Sequence, residues 1–207
     1  MSYSPKDLIF EKEGRDKLKK GINQITNAVK STLGPLGKTV LIESPEHTHG
    51  ITVTKDGVTV AKSINLEDPV ENLAVNMMKE AADRTATSAG DGTTTAIVLT
   101  EAIIRNGMNL IETKDNINTT VLIKDLNDKV KQIVKNLTKK SKKVTNKTLK
   151  DVATVSANNS VELGNLISDA YKVLGKDGIL TVENSFTEKT YYEVTKGIKI
   201  DRGYTSQ

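Results

Sequence analysis

Leu18, Ile22, Ile25, Val29 and Leu33 step along the chain by four, three, four and four. That spacing puts all five on one face of an α-helix, which Gly34-Pro35 is expected to stop. The period then changes. Thr39-Val40-Leu41-Ile42, Ile51-Thr52-Val53-Thr54 and Val58-Thr59-Val60 are short β-branched runs, parted by a polar loop and by Lys55-Asp56-Gly57. They predict a small sheet containing a hairpin. From Pro69 the helical period returns. Val70, Leu73, Ala74, Met77, Met78 and Ala81 share a face, and Pro69 sits in the first turn, where its missing N–H costs nothing. This helix is expected to end near Ser88-Ala89-Gly90, with its methionines as core filler.

The block Ala96-Ile97-Val98-Leu99 and Ala102-Ile103-Ile104 is apolar on more than one side, which predicts a helix buried within a bundle. Leu122, Leu126, Val130, Ile133 and Leu137 predict a further amphipathic helix with that face buried. After Leu137 the chain turns to Lys, Ser, Thr and Asn through Thr148, a boundary or hinge between structural units. A short helix from Leu149 to Val155 follows, then a helix carrying Leu163, Leu166, Ile167, Ala170 and Leu174. Strands are expected over Ile179 to Glu183 and Tyr191 to Ile200. No internal repeat of fixed period appears. The chain stops at Gln207 soon after the last predicted strand, with no helix to cap it, and so reads as interrupted.

Composition narrows the classes. The 207 residues are 36% hydrophobic and 27% charged, enough for a folded core. The absence of cysteine excludes a disulfide scaffold, a thiolate zinc site and a cysteine nucleophile. No signal peptide and no 18-residue apolar run is present, so a cytoplasmic protein without a membrane partner is expected. The net charge of +4 hides a local excess: nine lysines and no acid lie between Lys129 and Lys150, so the other 185 residues sum to −5 (4 − 9). Only four arginines occur in the chain and no aromatic residue interleaves these lysines. The run therefore reads as a solvated helix face continuing into a loop, so nucleic acid is not expected as a partner, and a nucleic-acid patch is the weaker alternative.

Two glycine-bearing segments could hold a phosphate. Thr32-Leu33-Gly34-Pro35-Leu36-Gly37-Lys38-Thr39 ends like a P-loop, but Thr32 stands where the first glycine is required, and a helix precedes it where a strand should. Gly90-Asp91-Gly92-Thr93-Thr94-Thr95 opens a predicted helix, whose first N–H groups lack internal partners and carry positive partial charge. Asp91 has the hard oxygen that Mg2+ prefers. The plainer alternative is an ordinary helix start capped by Asp91 or Thr93. Lys55-Asp56-Gly57 reads by itself as a hairpin turn. His47 and His49 lack a third ligand and read as solvated loop residues.

Six motifs taken together carry more. Thr32-Leu33-Gly34-Pro35, Thr54-Lys55-Asp56-Gly57, Gly90 to Thr95, Ser156-Ala157-Asn158, Gly175-Lys176-Asp177-Gly178 and Asp201-Arg202-Gly203-Tyr204 occur in the order and spacing of the group I (GroEL-like) chaperonins. From about Lys6 to Tyr204 the chain resembles the N-terminal portion of such a subunit.

The resemblance implies a mixed, mainly α fold: an equatorial-type helical bundle with a small β-hairpin sheet, followed by an α+β intermediate-type segment. It implies residues 1–138 as the first half of an equatorial ATP-binding domain, 139–195 as the first half of an intermediate hinge domain, and 196–207 as the start of an apical domain. It implies ATP, Mg2+ and K+ as cofactors. Thr32, Leu33, Gly34 and Pro35 would contact the nucleotide, Asp91 would ligate Mg2+, and Gly92, Thr93, Thr94 and Thr95 would cradle phosphate. Thr32, Lys55 and Thr94 would lie by K+, and Asp56 matches a carboxylate implicated in hydrolysis.

The activity implied is that of an ATP-dependent chaperonin, a homo-oligomeric ring that handles unfolded polypeptides with a co-chaperonin. Residues beyond this stretch would supply the second halves of two domains and the apical groove. The alternative is a truncated or split module that binds nucleotide or a partner subunit without hydrolysis or a folding cycle. The chain departs from the family at Leu36, where Lys or Arg is usual, at Ile117-Asn118-Thr119-Thr120, where an Asn-Pro entry is usual, and in its heavier lysine run.

Overall fold

The computed structural model describes residues 7–34, 36–43, 50–114, 116–175 and 178–197. Seven helices and two strands lie among them: α1 Glu11–Lys30, β1 Val40–Glu43, β2 Ile51–Thr54, α2 Gly57–Ser63, α3 Pro69–Ala89, α4 Thr93–Thr113, α5 Thr119–Lys140, α6 Asn146–Ser156 and α7 Val161–Leu174. The fold is mainly helical, with one antiparallel strand pair in which Val40 faces Thr54 and Glu43 faces Ile51. Two compact units divide at Lys124/Asp125, inside α5.

In the first unit, α1 packs on α3 and α4, and α2 touches all three. Ile22, Ile25 and Val29 of α1 meet Val60 and Ala61 of α2, Ala74, Val75, Met78 and Ala82 of α3, and Ile97 of α4 in one apolar cluster. The α1 periodicity is thus realised, although the helix ends at Lys30 and Leu33 lies beyond it, exposed. Gly21 fixes the close approach of α1 to α3, because a Cβ there would collide with the carbonyl oxygen of Glu71. Asp68 caps α3, accepting from the amides of Val70 and Glu71, and it also pairs with Lys17 of α1 at 2.8 Å. The Lys17 ammonium holds the Asp68 carboxyl at about 2, well below its usual range.

In the second unit, α6 and α7 form a packed pair. Thr145 caps α6 through a reciprocal hydroxyl arrangement with Thr148, and the Ser160 hydroxyl accepts from Leu163 N to start α7. Gly164 lets α7 approach Thr154, which a Cβ would strike, and Ala153, Ser168 and Ala170 are buried.

Several sequence expectations are corrected. Val58-Thr59-Val60 is not a strand but the body of α2. The Asp56 carboxylate accepts from the amides of Val58 and Thr59, and burial of Val60 and Ala61 rewards the helix, so capping and tertiary packing override β-branched propensity. The buried line of α3 is Glu71, Ala74, Val75, Met78 and Ala82, a rotation away from Leu73 and Met77, which are both exposed. The contact of α3 with α1 at Gly21 selects that line, and Met77 is accordingly not core filler.

Along α4 only Thr93 and Ile97 are buried, while Leu99 and Ile103 are exposed. α5 forms as its periodicity predicts, yet none of its residues is buried; Leu126, Val130, Ile133 and Leu137 stand exposed. Residues 178–197 form no strand, and β1 and β2 make up the sheet among the described residues. The β part of the expected α+β segment is therefore not seen among the described residues. Ile198 to Ile200, the two histidines and Asp201 to Tyr204 lie outside them.

Candidate functional site

Three chain segments converge where α1 ends and α4 begins. The first is the turn after α1. The Thr32 hydroxyl donates to the Val29 carbonyl at 2.8 Å, and the Lys38 amide donates to the Ser31 carbonyl at 2.8 Å, so the chain folds back on the helix end. Gly37 makes this possible, since a Cβ there would strike the Thr32 carbonyl. At the bend, Gly34 adopts φ +78° and has nothing within 4 Å of a Cβ position, which leaves its backbone open to a ligand. Leu33 is exposed beside it, and Leu36 is 93% exposed. Pro35 lies outside the described residues.

The second segment is the start of α2. A Cβ on Gly57 would collide with the Thr94 hydroxyl and come within 3.3 Å of Val29 Cγ1. This glycine therefore holds α2 against both the last turn of α1 and the first turn of α4. Asp56 precedes it. One carboxylate oxygen accepts from Val58 N at 3.3 Å, and the other accepts from Thr59 N at 2.9 Å and from the Thr59 hydroxyl at 2.6 Å. Partial burial pushes the Asp56 carboxyl up, but the Thr59 and Val58 hydrogen bonds and the nearby Lys62 charge outweigh it, so the group stays below its ordinary value and ionised. Lys55 is exposed at the same corner.

The third segment is Gly90 to Thr95. Gly90 ends α3 in the left-handed region at φ +73°, and Gly92 precedes α4 at φ +84°. Neither has an atom within 4 Å of a Cβ position. Gly92 is the N-cap residue and no side chain caps the helix. The plainer alternative of a start capped by Asp91 or Thr93 is not what forms: one Asp91 carboxylate oxygen accepts from Gly92 N at 2.6 Å, and Thr93 is buried. Thr94 is half-buried against Gly57, and Thr95 is exposed. Successive helical residues point about 100° apart, so the three hydroxyls cannot converge on one point.

This arrangement fits a phosphate and its cation. The first amides of α4 are uncapped, open backbone at Gly34, Gly90 and Gly92 permits close approach, and Asp91 is exposed with its second carboxylate oxygen in no described hydrogen bond. Among the described residues no three His, Cys, Asp or Glu side chains gather as a metal cluster, so a cation here would draw most of its oxygen ligands from an anion and water, as Mg2+ commonly does. Sequence reasoning missed Gly57, Gly37 and Thr59. A glycine directly after a capping aspartate was the available signal for the first.

A statistical description of the TCP-1/cpn60 chaperonin family matches residues 25–207. The chaperonin gp146 of bacteriophage EL, solved in the presence of ATP-BeFx, is similar at 30% identity with a TM-score of 0.66, over 77% of this chain and 28% of that one. A second crystal form of the same protein matches over 79% of this chain. A group III chaperonin in its open state is similar in fold, with a TM-score of 0.65 at 22% identity, over 81% of this chain and 34% of that one. The chain therefore spans under a third of the length of the phage chaperonin it matches.

Proposed function

The chain belongs to the TCP-1/cpn60 chaperonin family, and from that premise we propose that it carries the phosphate and magnesium half of a chaperonin ATP site, of the group I type indicated by its six motifs. The observation that carries this reading is the uncapped start of α4 held against the end of α1 by Gly57.

In this reading the amides of Thr93 to Thr95 and the open backbone of Gly92 bind the phosphates. Asp91 would hold Mg2+, which would supply charge neutralisation on the phosphate oxygens. Thr32 to Pro35 would flank the nucleotide, and Thr32, Lys55 and Thr94 would hold K+. Asp56, kept ionised by the Thr59 bonds, orients a water toward the terminal phosphate; its depressed basicity suits positioning better than proton abstraction. Residues 1–138, 139–195 and 196–207 correspond to the first parts of equatorial, intermediate and apical domains. In a complete subunit the intermediate segment would take one packing with nucleotide bound here and leave it after hydrolysis, in a cytoplasmic homo-oligomeric ring acting on unfolded polypeptide with a co-chaperonin.

A second reading, a module that binds nucleotide or a partner subunit without turnover, is favoured by the exposed apolar faces of α4 and α5, which another segment must cover. Titration calorimetry with a non-hydrolysable ATP analogue tests the site itself. Binding by the 207-residue chain should weaken at least tenfold when Mg2+ is chelated, and Asp91→Ala should remove that difference. Equal affinity with and without Mg2+ contradicts the assignment. Turnover by the purified chain would reject the second reading.

A further inference from the structure

The lysine run acquires a geometry in the structure that its composition does not convey. α5 continues unbroken to Lys140. At 100° per residue Lys131, Lys135 and Lys139 fall within about 80° of one another, and Leu126, Val130, Ile133 and Leu137 centre about 190° away. The basic ridge and the apolar stripe therefore occupy opposite sides of one helix. Whatever covers the stripe leaves the ridge facing water. Lys142 and Lys143 continue the charge beyond the helix end, and Lys147 and Lys150 add a pair one turn apart on α6. All nine lysines from Lys129 to Lys150 are exposed. Among the described residues, Asp128 on Lys131 at 3.0 Å is the one carboxylate that pairs with any of them.

We propose that this ridge is a docking surface for the phosphodiester backbone of duplex nucleic acid, bound without sequence preference. Ridge lysines one helical turn apart are spaced by about 6 Å, a span over which each strand of a duplex presents about two phosphates. Lysine without arginine or interleaved aromatics lacks bidentate base recognition and stacking, so the contact is to backbone charge alone. An anionic membrane fits less well. A helix that lies in a bilayer interface carries its lysines at the rim of the apolar face, where they snorkel; Lys129 and Lys140 fall at that rim, about 50–70° from the stripe's centre, but Lys131, Lys135 and Lys139 do not, and engagement of their ridge turns the apolar stripe away from the surface.

Fluorescence anisotropy of a labelled 20-base-pair duplex of mixed sequence, titrated with the full 207-residue chain, tests this. Binding should be micromolar at about 50 mM salt, with log K falling against log salt at a slope of about −4 to −5, as five neutralised phosphates require. Lys131→Gln/Lys135→Gln/Lys139→Gln should weaken binding at least tenfold with helical circular dichroism unchanged, and the corresponding arginine triple should retain it. A control triple, Lys12→Gln/Lys114→Gln/Lys189→Gln, makes the same change in net charge outside the Lys129–Lys150 run and should stay within about twofold at 150 mM salt, where the contribution of net charge alone is screened. A flat salt dependence, equal losses in ridge and control triples, or binding to phosphatidylserine vesicles with none to the duplex would each overturn the proposal.

Discussion

At the scale of single residues, two glycines and one aspartate fix how the helices of the first unit meet. Gly57 has no room for a Cβ beneath the Thr94 hydroxyl, so Gly57→Ala should push α2 away from α4. The cost should be about 1–3 kcal/mol of stability in chemical denaturation, with nucleotide affinity falling in parallel; a neutral variant would show that the corner is loose. Gly21→Ala meets the Glu71 backbone, which has less freedom to yield than a side chain, and should cost at least as much. The sequence marks Gly57 only as part of the Thr54-Lys55-Asp56-Gly57 motif and Gly21 not at all, because a close approach between elements leaves no trace in local pattern.

Asp68 gives a pH test whose sign is fixed. Its carboxyl is held at about 2 by the Lys17 ammonium and by the α3 amides, against about 4 in an unfolded chain. The stability it contributes is therefore full above about 4 and is lost as pH falls through about 2. Asparagine caps a helix as well as aspartate does, so Asp68→Asn isolates the charge. The stability difference between the two proteins should be constant from pH 7 to about 5, shrink below about 4 and vanish near about 2. A difference unchanged down to pH 2 would contradict the pairing.

Among elements, helices with a single buried stripe and a clear cap were legible. The spacing of Ile22, Ile25 and Val29 identified both α1 and its buried face, and the helices expected over residues 149–155 and from Leu163 to Leu174 lie within α6 and α7. The failures have physical causes. Val58 to Val60 reads as a strand only while the Asp56 cap is unseen, and α2 is too short to show a period of its own. On α3 two apolar lines compete, and the choice between them was made by α1, distant in sequence. The open helix start at residues 90–95 was legible from glycine placement; its union with Asp56-Gly57 and the α1 end was implied only by the family resemblance, because no local pattern carries packing between distant elements.

For the molecule as a whole, the decisive feature is apolar surface without cover. Leu73 and Met77 on α3, Leu99 and Ile103 on α4 and the stripe of α5 are exposed in a chain that spans 28% of the phage chaperonin's length. Scattered exposed leucines are ordinary, but stripes at helical spacing on three helices are not. The isolated chain should bind a hydrophobic dye and self-associate, and Leu126→Lys/Ile133→Lys should reduce both while leaving helical content intact. A monomer that binds no dye would mean these faces need no partner. The sequence announced the α5 stripe; whether anything covers it was not a local property.

The central claim is that a magnesium-bound triphosphate rests on the uncapped start of α4. Amide chemical shifts of the 15N-labelled chain, followed as the Mg2+ complex of a non-hydrolysable ATP analogue is added, test it most directly. The account predicts that the largest shifts fall at Gly92 to Thr95, with smaller ones at Thr32 to Gly34 and at Asp56. Saturable binding that leaves Gly92 to Thr95 unmoved while amides elsewhere shift would contradict it.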